Sequence, residues 1–389
     1  MKILKNNTRN LLLFLPAFLM AFLPWSLEKD LNISICDYDL SILLIPGFII
    51  IASKIRNRYS VPRADLYIYV FFLFALFSLI SLDGQYIGHY FIGIEFIWAF
   101  IFAKNIKYND GFNTILLYSS LLLLAAILFQ QVSLSLGLGF IDSGQAQNVE
   151  LNEGLLRVGT SVGAATITAI FVCLLVGIII SITQSKIISL VAFALGLLSV
   201  LLSGTRSAMI VILVMAFKYL FFGELKIKVI YKAIIIVLAI IYIFPFLGSI
   251  IEARNEIAFN GDDYTSGRID RWIDALNILS NSKGSYFLGA GAGTVPITAF
   301  SEDIERLASP HNVYIGILFQ FGIIGLIVFI IFLWKKIKYS LKLVGMNSAN
   351  VCLIMSLLVS WNTEVVPLMF IYAFYFWMLY FSNIRNSIK

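Results

Sequence analysis

The chain has 389 residues, of which 60% are hydrophobic and 13% charged. A water-soluble domain is nearer half apolar and a quarter charged, so the composition excludes a soluble globular protein and implies an all-α, polytopic integral membrane protein. The net charge of +6 does not imply a nucleic-acid partner, because the basic residues sort by membrane side rather than gathering into one patch. Cys36, Cys173 and Cys352 are too far apart for a disulfide framework or a metal-ligand spacing.

Apolar runs long enough, or nearly so, to cross about 30 Å of hydrocarbon as helices lie near 11–27, 38–53, 66–82, 86–103, 113–130, 162–182, 187–203, 208–222, 229–250, 312–334, 349–362 and 365–381. About twelve transmembrane helices are therefore expected, in a single polytopic domain over 1–389. The first run is taken as a retained span, because many others follow it. An even number puts both termini on one side. Lysine and arginine test this layout, since they collect on the cytoplasmic side. Twenty of the 28 fall in the 2–9, 54–63, 104–107, 186, 218–232, 335–342 and 385–389 stretches, on the side of the termini. Both termini are thus expected in the cytoplasm.

The opposite side holds Lys29, Arg157, Arg206, Arg254, Arg268, Arg271, Lys283 and Arg306. It carries two sizeable segments, 131–161 and the larger 251–311 loop, and these are where function is expected. In the second, RIDRWIDALNILS predicts a helix near 268–280, followed by the glycine-rich GAGAG at 289–293 and an acidic helix start near 301–307. Neither segment reads as a strand series, and no internal repeat is evident.

Arg206 is the only charge in LLSGTRSAM, a very short connection between two apolar runs. Arginine beside a span is costly and marks a functional site by default, although it can also serve as an interfacial anchor. Guanidinium matches phosphate by paired hydrogen bonds. Arg157, Arg268 and Arg271 share the same membrane face, as does His311 at the start of a span, and several cations suit the many oxygens of a diphosphate. Arg268 and Arg271 sit near a helix N-terminus, where backbone N–H groups add anion affinity; pairing with Asp263, Asp270 or Asp274 is the alternative. His311 is the candidate base, because imidazole titrates near neutrality, with an end-of-span cap as its other reading. His89 within the fourth span is read as structural. GAGAG lacks the strand–turn–helix context and the lysine of a nucleotide loop and is read as allowing close backbone approach.

In this order and spacing, LLSGTRSAMIVIL, GRIDRWIDALNIL with GAGAG, and SPHNVYIGILFQFGIIGL resemble the O-antigen ligase and O-antigen polymerase (Wzy/WaaL) superfamily, over roughly residues 155–335. RVGTSVGAATITA, with Arg157, is similar to that family's Arg-x-x-Gly element. Thr205 stands where the family commonly has serine, and Ala164 and Ala165 where it has Pro-Asn.

The resemblance implies a GT-C-like, metal-independent, inverting glycosyltransferase of the bacterial inner membrane, with no cofactor and a periplasmic active site. The donor would be an oligosaccharide on undecaprenyl diphosphate. The acceptor would be a lipid-linked glycan for a polymerase or the lipid A core for a ligase, and a chain-length regulator would be a further partner. Arg206 and Arg268 would hold the diphosphate with help from Arg157 and Arg271, His311 would activate the acceptor hydroxyl, and Asn312 would contact substrate. Richness in Ile, Lys, Asn, Phe and Tyr fits AT-rich polysaccharide loci, which encode both kinds, and polymerase is the leading expectation. A flippase for lipid-linked sugar is the competing class, but it needs a polar path that the apolar central spans lack.

Overall fold

The computed structural model describes residues 10–11, 14–15, 92–136, 149–152, 155–160, 165–222, 268–281, 285–289, 297–299, 305–307, 312–362 and 370–387. In chain order these give α1 (Ile92–Asn105), α2 (Asp110–Ser135), β1 (Val149–Asn152), β2 (Leu155–Val158), α3 (Ala165–Ile182), α4 (Lys186–Ser203) and α5 (Arg206–Phe221). Then come α6 (Arg268–Asn281), α7 (Ser285–Leu288), β3 (Ile297–Ala299), β4 (Glu305–Leu307), α8 (Val313–Val344), α9 (Ser348–Leu358), a 3₁₀ turn (Ser360–Asn362) and α10 (Phe370–Ser387). The spans expected before residue 86 and at 229–250 lie outside the described residues, apart from helical residues near 10 and 14.

Among the described residues, α2, α3, α4 and α8 are long and apolar enough to cross a membrane, and Ser348–Asn362 is a shorter apolar helical stretch. The chain is a mainly helical membrane protein. The spanning helices expose Leu122, Phe129, Val191, Leu198, Ile327 and Trp334, a surface that acyl chains cover more favourably than water does.

Three local expectations are corrected. Residues 305–307 form strand β4, paired antiparallel with β3 (Thr298↔Arg306), where a helix start was expected. The run before Pro310 is too short to sustain a helix, and β-branched Ile297 and Thr298 supply a strand partner. A second hairpin, β1–β2 with Glu150↔Arg157 in register, lies inside the 131–161 segment, so the described fold is not purely helical. The span expected over 349–362 is an 11-residue helix that ends at Leu358 and continues as the 3₁₀ turn.

The chain divides into two compact units. In the unit of residues 1–115, 268–345 and 361–389, α1, α8 and α10 pack through aromatic rings. Phe100 meets Trp377 edge-on at 4.9 Å between centroids, and Phe96 meets Trp361 at 5.8 Å, a geometry favoured by the ring quadrupoles. The Lys336 ammonium lies 5.0 Å over the Phe100 ring and 5.7 Å over Phe332, which lets a buried lysine stem sit among apolar neighbours. Tyr108, between α1 and α2, donates to the Ala103 carbonyl at 3.2 Å. Its burial pushes the phenol pKa well above the ordinary value, with Arg385 pulling the other way.

In the unit of residues 116–267 and 346–360, α3 is the central helix, flanked by α4, α5 and α9. A Cβ on Gly196 of α4 would come 2.5 Å from Val176 Cγ2 and 2.9 Å from Ile212 Cδ1, so the missing side chain lets helices close up, as small residues do between membrane helices. The Cys173 thiol donates to the Ala208 carbonyl at 3.5 Å, and that of Cys352 to the Cys173 carbonyl at 3.4 Å. Both thiols are free and buried and serve here as small packing groups with a weak donor.

Candidate functional site

Arg206 is fixed by one of the tightest connections in the chain. Helix α4 ends at Ser203, Gly204 takes the left-handed conformation (φ 61°) and returns its N–H to the Leu201 carbonyl at 3.0 Å, and α5 begins at Arg206. Left-handed backbone at a helix end is the usual place for glycine. The Ser203 hydroxyl donates to the Val200 carbonyl at 2.6 Å and accepts from the Thr205 N–H at 3.3 Å. Ser203, Thr205, Ser207 and Ala208 are all buried, while Arg206 between them is exposed.

Thr205 occupies the N-cap of α5 but makes no side-chain cap bond; its hydroxyl instead donates back to the Ser203 carbonyl at 3.4 Å. The first N–H groups of α5 therefore lack that side-chain acceptor, and they carry the positive end of the helix dipole. An exposed guanidinium standing on such a terminus can bind an anion of several oxygens.

The same unit brings the Arg157 strand to the helix that leads into this turn. Gln131 of α2 is fully buried. Its amide donates to the Val158 carbonyl at 3.2 Å and to the Ser199 carbonyl at 3.1 Å, and its oxygen accepts from the Ser199 hydroxyl at 2.6 Å. Val158 directly follows Arg157 in β2, and Ser199 lies two turns before Arg206. Gln131 thus ties the backbone beside one candidate arginine to the helix below the other. Thr160 and Thr168 extend the join with a 3.1 Å hydroxyl contact between the strand end and α3. Gln131 was missed in the sequence, although a glutamine at the end of an apolar run is a signal of its own.

In the other unit, Arg268 is the first residue of α6 and Arg271 the fourth. Ala275 and Leu279 of this helix are buried with Phe319 of α8, against Ile315 and Leu318. Helix α6, which carries both arginines, is thereby packed on the helix that begins just after His311. His311 itself lies outside the described residues. Asn312 is the N-cap of α8: its Oδ1 accepts from the N–H groups of Tyr314 at 2.9 Å and Ile315 at 3.1 Å, and its Nδ2 donates to Asn362 Oδ1 at 3.3 Å. Its side chain thus holds the first turn of α8.

The glycine-rich GAGAG has a packing role at its first residue. Gly289 has φ +82°, and a Cβ there would fall on the Gln320 backbone. Its counterpart Gly322 interrupts α8 with φ 65° and ψ −173°, and a Cβ there would fall on the Phe287 carbonyl and 2.6 Å from the Gly289 nitrogen. Two glycines face each other across the contact of the 285–289 segment with a broken helix. Residues 290–293 lie outside the described residues.

Residues 191–330 match the family model described as O-antigen ligase. No curated protein matches the chain significantly. The matched stretch includes Arg206, Arg268, Arg271, His311 and Asn312, with Arg157 and Gln131 upstream of it. The match points to surface polysaccharide biosynthesis and to glycosyltransferase-like enzymes.

Proposed function

On the premise of an O-antigen ligase domain over residues 191–330, which supports the O-antigen polymerase and ligase superfamily, we propose that the protein is an inner-membrane glycosyltransferase of about twelve GT-C-like spans. It moves a glycan from undecaprenyl diphosphate to an acceptor sugar hydroxyl at the periplasmic face. The observation that carries this reading is Arg206, exposed between buried Thr205 and Ser207, at a helix N-terminus without a side-chain cap.

In the reaction the acceptor oxygen attacks the anomeric carbon, the bond from that carbon to the diphosphate oxygen breaks, and its electron pair leaves with the diphosphate. Arg206 and Arg268, supported by Arg157 and Arg271, neutralise the charge that grows on the leaving group, and arginines do so without a metal. His311 takes the proton from the attacking hydroxyl. A single displacement inverts the anomeric centre. Asn312, which caps α8, steadies the start of that helix and acts as a positioning residue in this scheme, with any contact to substrate made through its amide.

The acceptor is taken to be a second lipid-linked repeat unit, making the enzyme a polymerase. Reconstitution with purified lipid-linked repeat unit, alone and then with lipid A core, tests this. A glycan ladder from the repeat unit alone is the expected result. Transfer only when core is present makes the protein a ligase, and no transfer under either condition overturns the glycosyltransferase reading.

A further inference from the structure

The α6–α7 segment falls in the expected 251–311 outer loop, yet its surface is apolar where it leaves the protein. Around α6, Ala275 and Leu279 pack on α8. On the adjoining strip of the same helix, Ile269, Ile273 and Leu276 are 47%, 49% and 38% exposed. In α7, Tyr286, Phe287 and Leu288 follow at 45%, 61% and 56%. Ser280 falls on this side of α6 and donates its hydroxyl to the Asn277 carbonyl at 2.9 Å, so it needs no water.

The depth of this segment is set by α8. The Phe287 carbonyl lies against Gly322, which stands twelve residues before Trp334; beyond Trp334 come Lys335, Lys336 and Lys338. At 1.5 Å per residue that is about 18 Å, so within a hydrocarbon layer of ~30 Å Gly322 lies roughly 12 Å below the far surface. Exposed aromatic and aliphatic side chains at that depth meet hydrocarbon. The irregular backbone at Gly289 and Gly322 meets the matching condition, that non-helical chain at membrane depth be covered by protein, because each glycine is pressed on the other segment. On α8 itself Ile324, Ile327 and Ile330 are exposed and continue the apolar surface across the membrane.

We propose that residues 268–281 and 285–289 belong to a re-entrant element embedded in the outer leaflet, with Ile269, Ile273, Leu276, Tyr286, Phe287 and Leu288 against the acyl chains of bilayer phospholipids. The element pairs an amphipathic helix with an aromatic tip, the composition of an interfacial anchor. It brings the start of α6, where Arg268 and Arg271 stand, to the boundary at which lipid phosphates lie. The inference rests on α8 spanning the membrane and is independent of glycosyl transfer.

Nitroxide labels on Ile273→Cys, Leu276→Cys and Phe287→Cys, with Asp274→Cys on the polar side of α6 as the control, test it in phosphatidylethanolamine–phosphatidylglycerol vesicles free of prenyl lipid. Cys173 and Cys352 are buried, and the unsubstituted chain is the blank. Collisions with lipid-soluble oxygen should exceed those with an aqueous nickel chelate several-fold at 273, 276 and 287, and the order should reverse at 274. Chelate-dominated collisions at 273 and 287 would place the element in water and overturn the proposal. Low collision rates with both reagents would mean a protein cover such as a second copy, and oxygen access changed only by added undecaprenyl diphosphate would assign the surface to the donor's tail. Either result also overturns it.

Discussion

Replacing Gly322 by alanine should release the 285–289 segment from α8. The glycine has φ 65° and ψ −173°, a region essentially closed to L-residues and costing about 1–3 kcal/mol there. A Cβ would also overlap the Phe287 carbonyl and stand 2.6 Å from the Gly289 nitrogen, an overpacking worth about another 1–3 kcal/mol. The sum of about 2–6 kcal/mol shifts docking by roughly 30-fold to more than 10⁴-fold, whether α8 keeps its break under strain or straightens and expels the segment. Gly345→Ala is the control, since φ is +77° but nothing lies within 4 Å of its Cβ. Hydrogen exchange of the protein in detergent reads the effect directly: amides around 285–289 should lose protection in Gly322→Ala and keep it in Gly345→Ala. Unchanged protection in Gly322→Ala would refute the reasoning, because the close approach could not then be what holds the segment.

Arg206→Ala should lower glycan transfer by about 10²–10³-fold with normal membrane insertion, while Arg206→Lys should recover only part, lacking the paired geometry; product ladders alongside insertion assays measure both. Gln131→Leu leaves the Ser199 hydroxyl and two carbonyls short of a partner, so it should cost about 1–3 kcal/mol, seen as a lower melting temperature in detergent. Asn312→Ala removes the cap of α8 at a cost of about 0.5–2 kcal/mol; Asn312→Asp should restore most of the loss of thermal stability. Transfer should persist in excess EDTA, and a strict divalent-cation requirement would contradict charge neutralisation by arginine.

Features governed by local chemistry were legible in the sequence. The short LLSGTRSAM connection between two apolar runs placed the turn at Arg206, and the spans expected at 162–182 and 187–203 lie within three residues of α3 and α4. The amphipathic run from Arg268 identified α6 to within a residue at its end. What escaped was non-local. The break in α8 depends on Phe287 and Gly289, more than thirty residues upstream, and a glycine inside an apolar run gives no sign of such a partner. Gln131 acquires its role from Val158 and Ser199; the acidic start at 301–307, by contrast, was misread locally, since its strand partner Ile297–Ala299 lies only six to ten residues upstream. The described residues include Arg206 and Asn312 with their surroundings and place Arg157, Arg268 and Arg271 on the backbone.

The cation–π contact of Lys336 has a mechanical consequence. With its ammonium held over Phe100 and Phe332, the C-terminal part of α8 is clamped to α1, while ten residues from the other end the helix is broken at Gly322. The two pieces of α8 are therefore secured by different neighbours: the piece beyond Gly322 by α1, and the piece from the Asn312 cap to Phe321 by α6, whose Ala275 and Leu279 pack on Phe319.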